Sequence, residues 1–86
     1  VGGPSRTVTV RNAQGLHARP ASQLARLVSG FDAAVLIEGA NASSLLAIMG
    51  LGLQQGSEVT ISASGPDAAA AVDAVVEAFE GGFGEL

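Results

Sequence analysis

Cysteine and lysine are absent from these 86 residues, and there is one histidine. Without cysteine there are no disulfides and no thiolate metal sites, and one imidazole cannot build a zinc cage. The same absence makes the cytoplasm the natural compartment. Long apolar runs are missing too. The longest mostly apolar stretch, Leu45 to Leu53, falls well short of the roughly 20 residues that a membrane helix needs, and no signal-peptide pattern opens the chain. A soluble protein, not inserted into membrane, is expected. Positive charge is scarce: four arginines stand against eight acids, for a net charge of −4. That is too little for a nucleic-acid footprint. A hydrolytic or metal enzyme would need a second base, a nucleophile pair or a ligand cluster, and none is present; no cofactor is implied. The length allows one small, monomeric domain with a core but no separate catalytic lobe.

The charges that are present are unevenly spread. Arg6, Arg11, Arg19 and Arg26 fall in the first 26 positions, and all eight acids lie from Asp32 onward. A positive pole of this kind suits a phosphate and an acidic partner surface, although in a short chain it also arises incidentally.

Periodicity organises the rest. Val1-Gly2-Gly3-Pro4-Ser5 reads as a flexible lead or linker, leaving residues 6–86 as the single domain. Thr7-Val8-Thr9-Val10-Arg11 alternates as a strand, with Val8 and Val10 on one face, and Asn12-Ala13-Gln14-Gly15 supplies a loop. From Ala18 to Ser29, Ala21, Leu24, Ala25 and Val28 recur at helical spacing, Ser22, Gln23 and Arg26 face water, and Gly30 stops the helix. Ala33 to Ile37 reads as a second strand. Leu45 to Leu51 reads as a short helix capped by a serine hydroxyl, with Ile48 and Leu51 inward. Ser57 to Ser64 alternates again, placing Val59, Ile61 and Ala63 inside. After Gly65-Pro66-Asp67, a last helix buries Ala69, Val72, Val76 and Phe79, exposes Asp73, Glu77 and Glu80, and ends at Gly81-Gly82. Strands followed by one-faced helices indicate a two-layer α+β domain, helices covering one face of an antiparallel sheet.

His17 stands where the first loop meets the first helix. Neutral imidazole is a nucleophile at physiological pH, and a helix start offers unpaired backbone N–H groups to an anion. A phosphoryl group on this ring would find the N–H groups of Ala18 and Arg19 and the Arg19 fork. Pro20 lacks an N–H, which costs little in a first turn, and its fixed φ holds that turn in shape. A lone histidine here would more often be a polar N-cap at the surface. The whole run Gly15-Leu16-His17-Ala18-Arg19-Pro20-Ala21 changes that balance.

This heptapeptide resembles the signature of the HPr family, the histidine-containing phosphocarriers of the bacterial phosphoenolpyruvate-dependent sugar phosphotransferase system. The resemblance continues through residues 41–52, residues 56–65 and Gly82-Phe83-Gly84-Glu85, in the family's order from about residue 6 onward. It implies a two-layer open-faced sandwich: a four-stranded antiparallel sheet in the order 1-4-2-3 with three helices on one face. Between Phe31 and Ser44 the chain is a few residues shorter than common members, so the third strand is expected to be stunted or absent. That edge is remote from His17 in the family's topology.

The resemblance also implies site residues and partners. His17 matches the histidine whose δ nitrogen accepts phosphate, and Arg19 matches the arginine that attends it. Phosphate would pass from phosphoenolpyruvate to enzyme I, to His17, and on to the A domain of a sugar-specific enzyme II. Leu45, Leu46 and Met49 match apolar residues that contact donor and acceptor, and Pro20 is placed with them on the partner surface. Of Leu45, Leu46, Ile48 and Met49, about half are expected to be buried. Ser44 matches a serine that a dedicated kinase phosphorylates in some members, although Ser43 stands where lysine is common; its own chemistry favours the N-cap role. Two alternatives stay open. Domains of this type occur within larger proteins, including the phosphotransfer subunit of dihydroxyacetone kinase and multidomain fructose phosphotransferase proteins, and binding-only regulatory paralogues keep the fold without the histidine.

Overall fold

The computed structural model describes residues 3–84. The elements run β1 (Ser5–Thr9), α1 (Ala18–Val28), β2 (Ala34–Ile37), β3 (Ala40–Asn41), α2 (Leu45–Met49), β4 (Glu58–Ser64) and α3 (Ala68–Glu80), closed by a short 3-10 turn at Gly82–Gly84. The strands form one antiparallel sheet in the order β1-β4-β2-β3. Val1 and Gly2 of the expected lead lie outside the described residues. The lead gives way before Arg6, because the Ala63 N–H donates to the Pro4 carbonyl at 3.2 Å and Ser5 pairs with Ser62.

The central strand β4 sets the sheet. Its alternation sends Val59, Ile61 and Ala63 to the helix side, joined by Val8, Val35 and Ile37, all buried. Its other face carries Glu58, Thr60 and Ser64 into solvent, next to Thr7 and Thr9. Expected bounds shift where pairing decides them. β1 ends at Thr9 rather than Arg11, yet Val10 stays buried because its N–H donates to the Ser57 carbonyl at 2.9 Å.

α3 packs on β4, β1 and β2, and α1 packs against α3 and α2. Sandwiched between two helices, α1 half-buries Ser22 and Gln23, which had been expected to face water; Ala25 is also only half-buried. In α3 the buried face comprises Ala68, Ala71, Val72, Val75, Val76 and Phe79. Ala69 is therefore not in the stripe. It falls on the row i, i+4, i+8 with Asp73 and Glu77, and that row is exposed. The Phe79 ring meets Phe83 edge-on at 4.9 Å, closing the end of the core.

β3 is present, but only two residues long. Glu38 and Gly39, both at positive φ (50° and 82°), make the two-residue turn that such a hairpin demands. Glu38 is held there by two contacts with β4: its N–H donates to the Thr60 carbonyl at 2.9 Å, and its carboxylate accepts the Thr60 N–H at 2.6 Å. The strand then stops because Asn41 Oδ1 accepts from both the N–H (2.9 Å) and the hydroxyl (2.7 Å) of Ser43, turning the chain towards α2.

Candidate functional site

His17 is placed by the loop before it. The Gly15 N–H donates to the Asn12 carbonyl at 2.9 Å, so residues 12–15 form a tight turn. Both ends of the turn are anchored. Asn12, itself buried, donates through Nδ2 to the Gly82 carbonyl at 2.8 Å. Gly15 sits at φ +70° against the backbone of Leu53 and Gln54, so close that a Cβ would collide with the Leu53 carbonyl oxygen and lie 2.9 Å from Gln54 Cα. Leu16 follows, buried, and its N–H donates to the Leu53 carbonyl at 3.1 Å.

The next residue, His17, is the N-cap of α1, extended at φ −83°, ψ −168°. Its carbonyl accepts the first helical bond, from the Ala21 N–H at 3.1 Å, while its side chain makes no capping hydrogen bond. The ring is half-buried and lines an open cleft of about 350 Å³ together with Ala13, Gln14 and Arg19. Of the first-turn residues, Ala18 and Arg19 are exposed and have N–H groups with no intrahelical acceptor. An anion seated on the ring would lie at the helix start that carries these two donors, in the cleft that Arg19 also lines. Pro20 is different from expectation. It is fully buried, its ring serving as packing beneath the first turn, and so it is not on the partner surface.

The positive pole also contracts. Arg6 pairs with Asp73 of α3 at 3.7 Å, Arg11 donates to the Glu80 carbonyl at 2.7 Å, and Arg26 stands in the last turn of α1. These three serve helix surfaces and helix ends; Arg19 is the arginine of the His17 cleft.

α2 packs against α1 and supplies an apolar surface. Leu46 is 81% exposed, with Leu45 and Met49 near 40%. Of the four apolar residues expected to divide evenly, only Ile48 is buried. One reason is length: α2 ends at Met49, with the Gly50 N–H bonded to the Leu46 carbonyl, and Gly52 at φ +66° leads the chain away, leaving Leu51 half-buried. A five-residue helix has one inward position per turn and a half. Ser44 is its N-cap, its hydroxyl accepting from the Ala47 N–H at 3.2 Å. Ser44→Ala should lower stability by about 1 kcal/mol, read as a smaller urea midpoint at unchanged m; an unchanged midpoint would show the bond contributes nothing.

Sequence reasoning missed the anchors of the loop. Asn12 and the Gly15–Leu53 contact are tertiary facts, signalled only by a polar residue and a glycine bracketing a turn.

The comparisons agree with this geometry. The family model described as PTS HPr component phosphorylation site matches residues 4–81. Phosphocarrier protein NPr of Proteus mirabilis is 44% identical over 85 residues, covering 93% of this chain and 94% of that protein. Phosphocarrier protein HPr of Haloferax volcanii is 45% identical over 76 residues, covering 81% and 85%. The crystal structure of HPr-C-His from Thermoanaerobacter tengcongensis superposes with a TM-score of 0.91 at 38% identity, covering 96% of this chain and 98% of that one. With its sheet order, its helices and its sequence all matching, the chain belongs to the HPr family of phosphotransferase-system phosphocarriers.

Proposed function

We propose that His17 carries the phosphoryl group, taking it from a phosphohistidine of enzyme I and passing it to a histidine on the A domain of an enzyme II. The observation that carries this reading is the placement of the one imidazole at the N-cap of α1, in a cleft shared with Arg19. In the forward step a lone pair of His17 Nδ1 attacks phosphorus. The donor's N–P bond breaks and its electron pair returns to the donor imidazole. The N–H groups of Ala18 and Arg19 and the Arg19 fork receive the phosphoryl oxygens, which stabilises the anion. Transfer to the acceptor repeats the displacement with the roles exchanged, so the carrier is regenerated.

Leu45, Leu46 and Met49 form the docking surface. An exposed apolar patch on a helix packed against α1 suits partners that must be met and left quickly. Relatives named NPr and relatives named HPr both match the chain; in this reading the docking surface, rather than the chemistry of the ring, selects among donors and acceptors.

The test is direct. The domain is incubated with phosphoenolpyruvate and catalytic enzyme I, and phosphorus NMR is followed for an acid-labile phosphoimidazole. Its absence, with the enzyme I shown active on another carrier, would favour a binding-only role. Leu46→Glu should raise the KM for the carrier by about tenfold without lowering Tm, because the side chain is already in solvent. A fall in Tm with unchanged KM would remove Leu46 from the docking surface.

A further inference from the structure

We propose that Gln14 is a phosphate-binding residue, its side-chain amide donating a hydrogen bond to a phosphoryl oxygen on His17. The proposal rests on His17 being the phosphoryl acceptor and adds a group that the motif around it does not contain. Three observations carry it. Among the described residues the His17 cleft is lined by Ala13, Gln14, His17 and Arg19, so beyond the ring and the guanidinium the one polar side chain among them is Gln14. Among the described residues no hydrogen bond engages the Gln14 side chain, whereas the exposed Gln55 donates to the Arg11 carbonyl at 3.3 Å. And the backbone beneath Gln14 is fixed. Ala13 and Gln14 are the central residues of the turn closed by Gly15 and Asn12, whose two ends are pinned to Leu53 and Gly82.

The chemistry of the cleft leaves room for this donor. A phosphoryl group presents three strong acceptor oxygens and close to two negative charges. The first turn of α1 offers two N–H groups rather than three, because Pro20 has none. The Gln14 amide has two N–H donors of its own and no charge. It therefore stabilises the bound dianion without adding positive charge to the cleft. Among the described residues Arg19 is the one fixed cation there, and Gln14 adds a donor from the loop that precedes the ring.

The experiment uses the whole domain labelled with nitrogen-15. It is charged with phosphoenolpyruvate and catalytic enzyme I, or, if that transfer fails and so sinks the proposed function, with phosphoramidate, which can place phosphoimidazole only on His17 because the chain has no other histidine. Two quantities are read. The first is the side-chain amide signal of Gln14, identified by its absence from Gln14→Leu; it should move on phosphorylation while the Gln54 and Gln55 amides stay in place. The second is the midpoint of the phosphoryl group's last ionisation, followed by phosphorus chemical shift against pH. Loss of a donor to the dianion in Gln14→Leu should raise that midpoint by a few tenths of a unit to about one unit, and Gln14→Glu should raise it further by like-charge repulsion. A merely structural role for Gln14 would move neither reading. An unmoved Gln14 amide, or a Gln14→Leu midpoint equal to wild type, overturns the proposal; if Gln14→Leu does not fold, the amide signal of the wild-type domain, identified by its absence from Gln14→Glu, decides alone.

Discussion

His17→Ala should give a folded domain that accepts no phosphoryl group. The expected loss is total because the reaction is covalent: with the chain's one imidazole gone, no second nitrogen nucleophile of suitable reactivity stands in the cleft among the described residues. The expected retention of fold follows from how α1 begins. The first helical bond uses the backbone carbonyl of residue 17, and the ring makes no capping hydrogen bond, so alanine can hold the same extended conformation. The stability change should stay within about 1 kcal/mol. Thermal unfolding and phosphorus NMR on the same sample check both halves. An acid-labile N–P signal in this variant would refute the role of His17, since the phosphate would then reside elsewhere.

Gly15→Ala should damage both stability and transfer. Two penalties combine at this position. Alanine at φ +70° is strained, and its Cβ meets the Leu53 carbonyl, a backbone atom that cannot rotate away. Together they should cost about 2–4 kcal/mol, and for a domain of this size that is a Tm fall of roughly 10 °C or more. The loop will relieve the clash by lifting off the Leu53 segment, which breaks the Leu16 hydrogen bond and moves the ring. Displacing a reacting group by about 1 Å can slow a step about a hundredfold, so transfer should fall further than the unfolded fraction explains. Gly39→Ala is the matched control. Gly39 also has a positive φ, 82°, but nothing lies within 4 Å of its would-be Cβ. It should lose about 1 kcal/mol and no transfer. Equal losses in the two variants would show that strain alone, and not the seat on Leu53, matters at Gly15.

Legibility varied with the contrast in the sequence. β4 could be read residue by residue, because Val59, Ile61 and Ala63 alternate with Glu58, Thr60 and Ser62. The start of α1 was legible for a similar reason, the run from Gly15 to Ala21 being unlike any other stretch of the chain. α3 was legible as a helix and, from Val72 onward, in phase; its first turn was not. Four alanines in a row, Ala68 to Ala71, carry no amphipathic contrast, and only packing against β4 and β1 turns Ala68 and Ala71 inward while Ala69 faces water. Pro20 misled in the same way, since its apolar ring suits a docking face or a core and only the tertiary structure chooses. The charge asymmetry along the chain did not survive folding as a pole, because Arg6 and Arg11 reach α3 across the whole sequence. Contacts of that range leave no local mark.

Those contacts also set when the site comes into being. Asn12 takes its anchor from Gly82, seventy residues later, and Arg11 takes its own from Glu80. Loop closure over such a separation carries an entropic cost that must be met before the contacts reward it, and structures rich in non-local contacts assemble late. During synthesis His17 emerges before both anchors of its loop: Leu53 supplies one, and the other arrives only when the end of α3 has been made and docked. A partly made chain therefore displays the histidine without its setting. Competence to carry phosphate becomes a property of the finished fold, and a partner that recognises the assembled loop is spared unproductive encounters with incomplete chains.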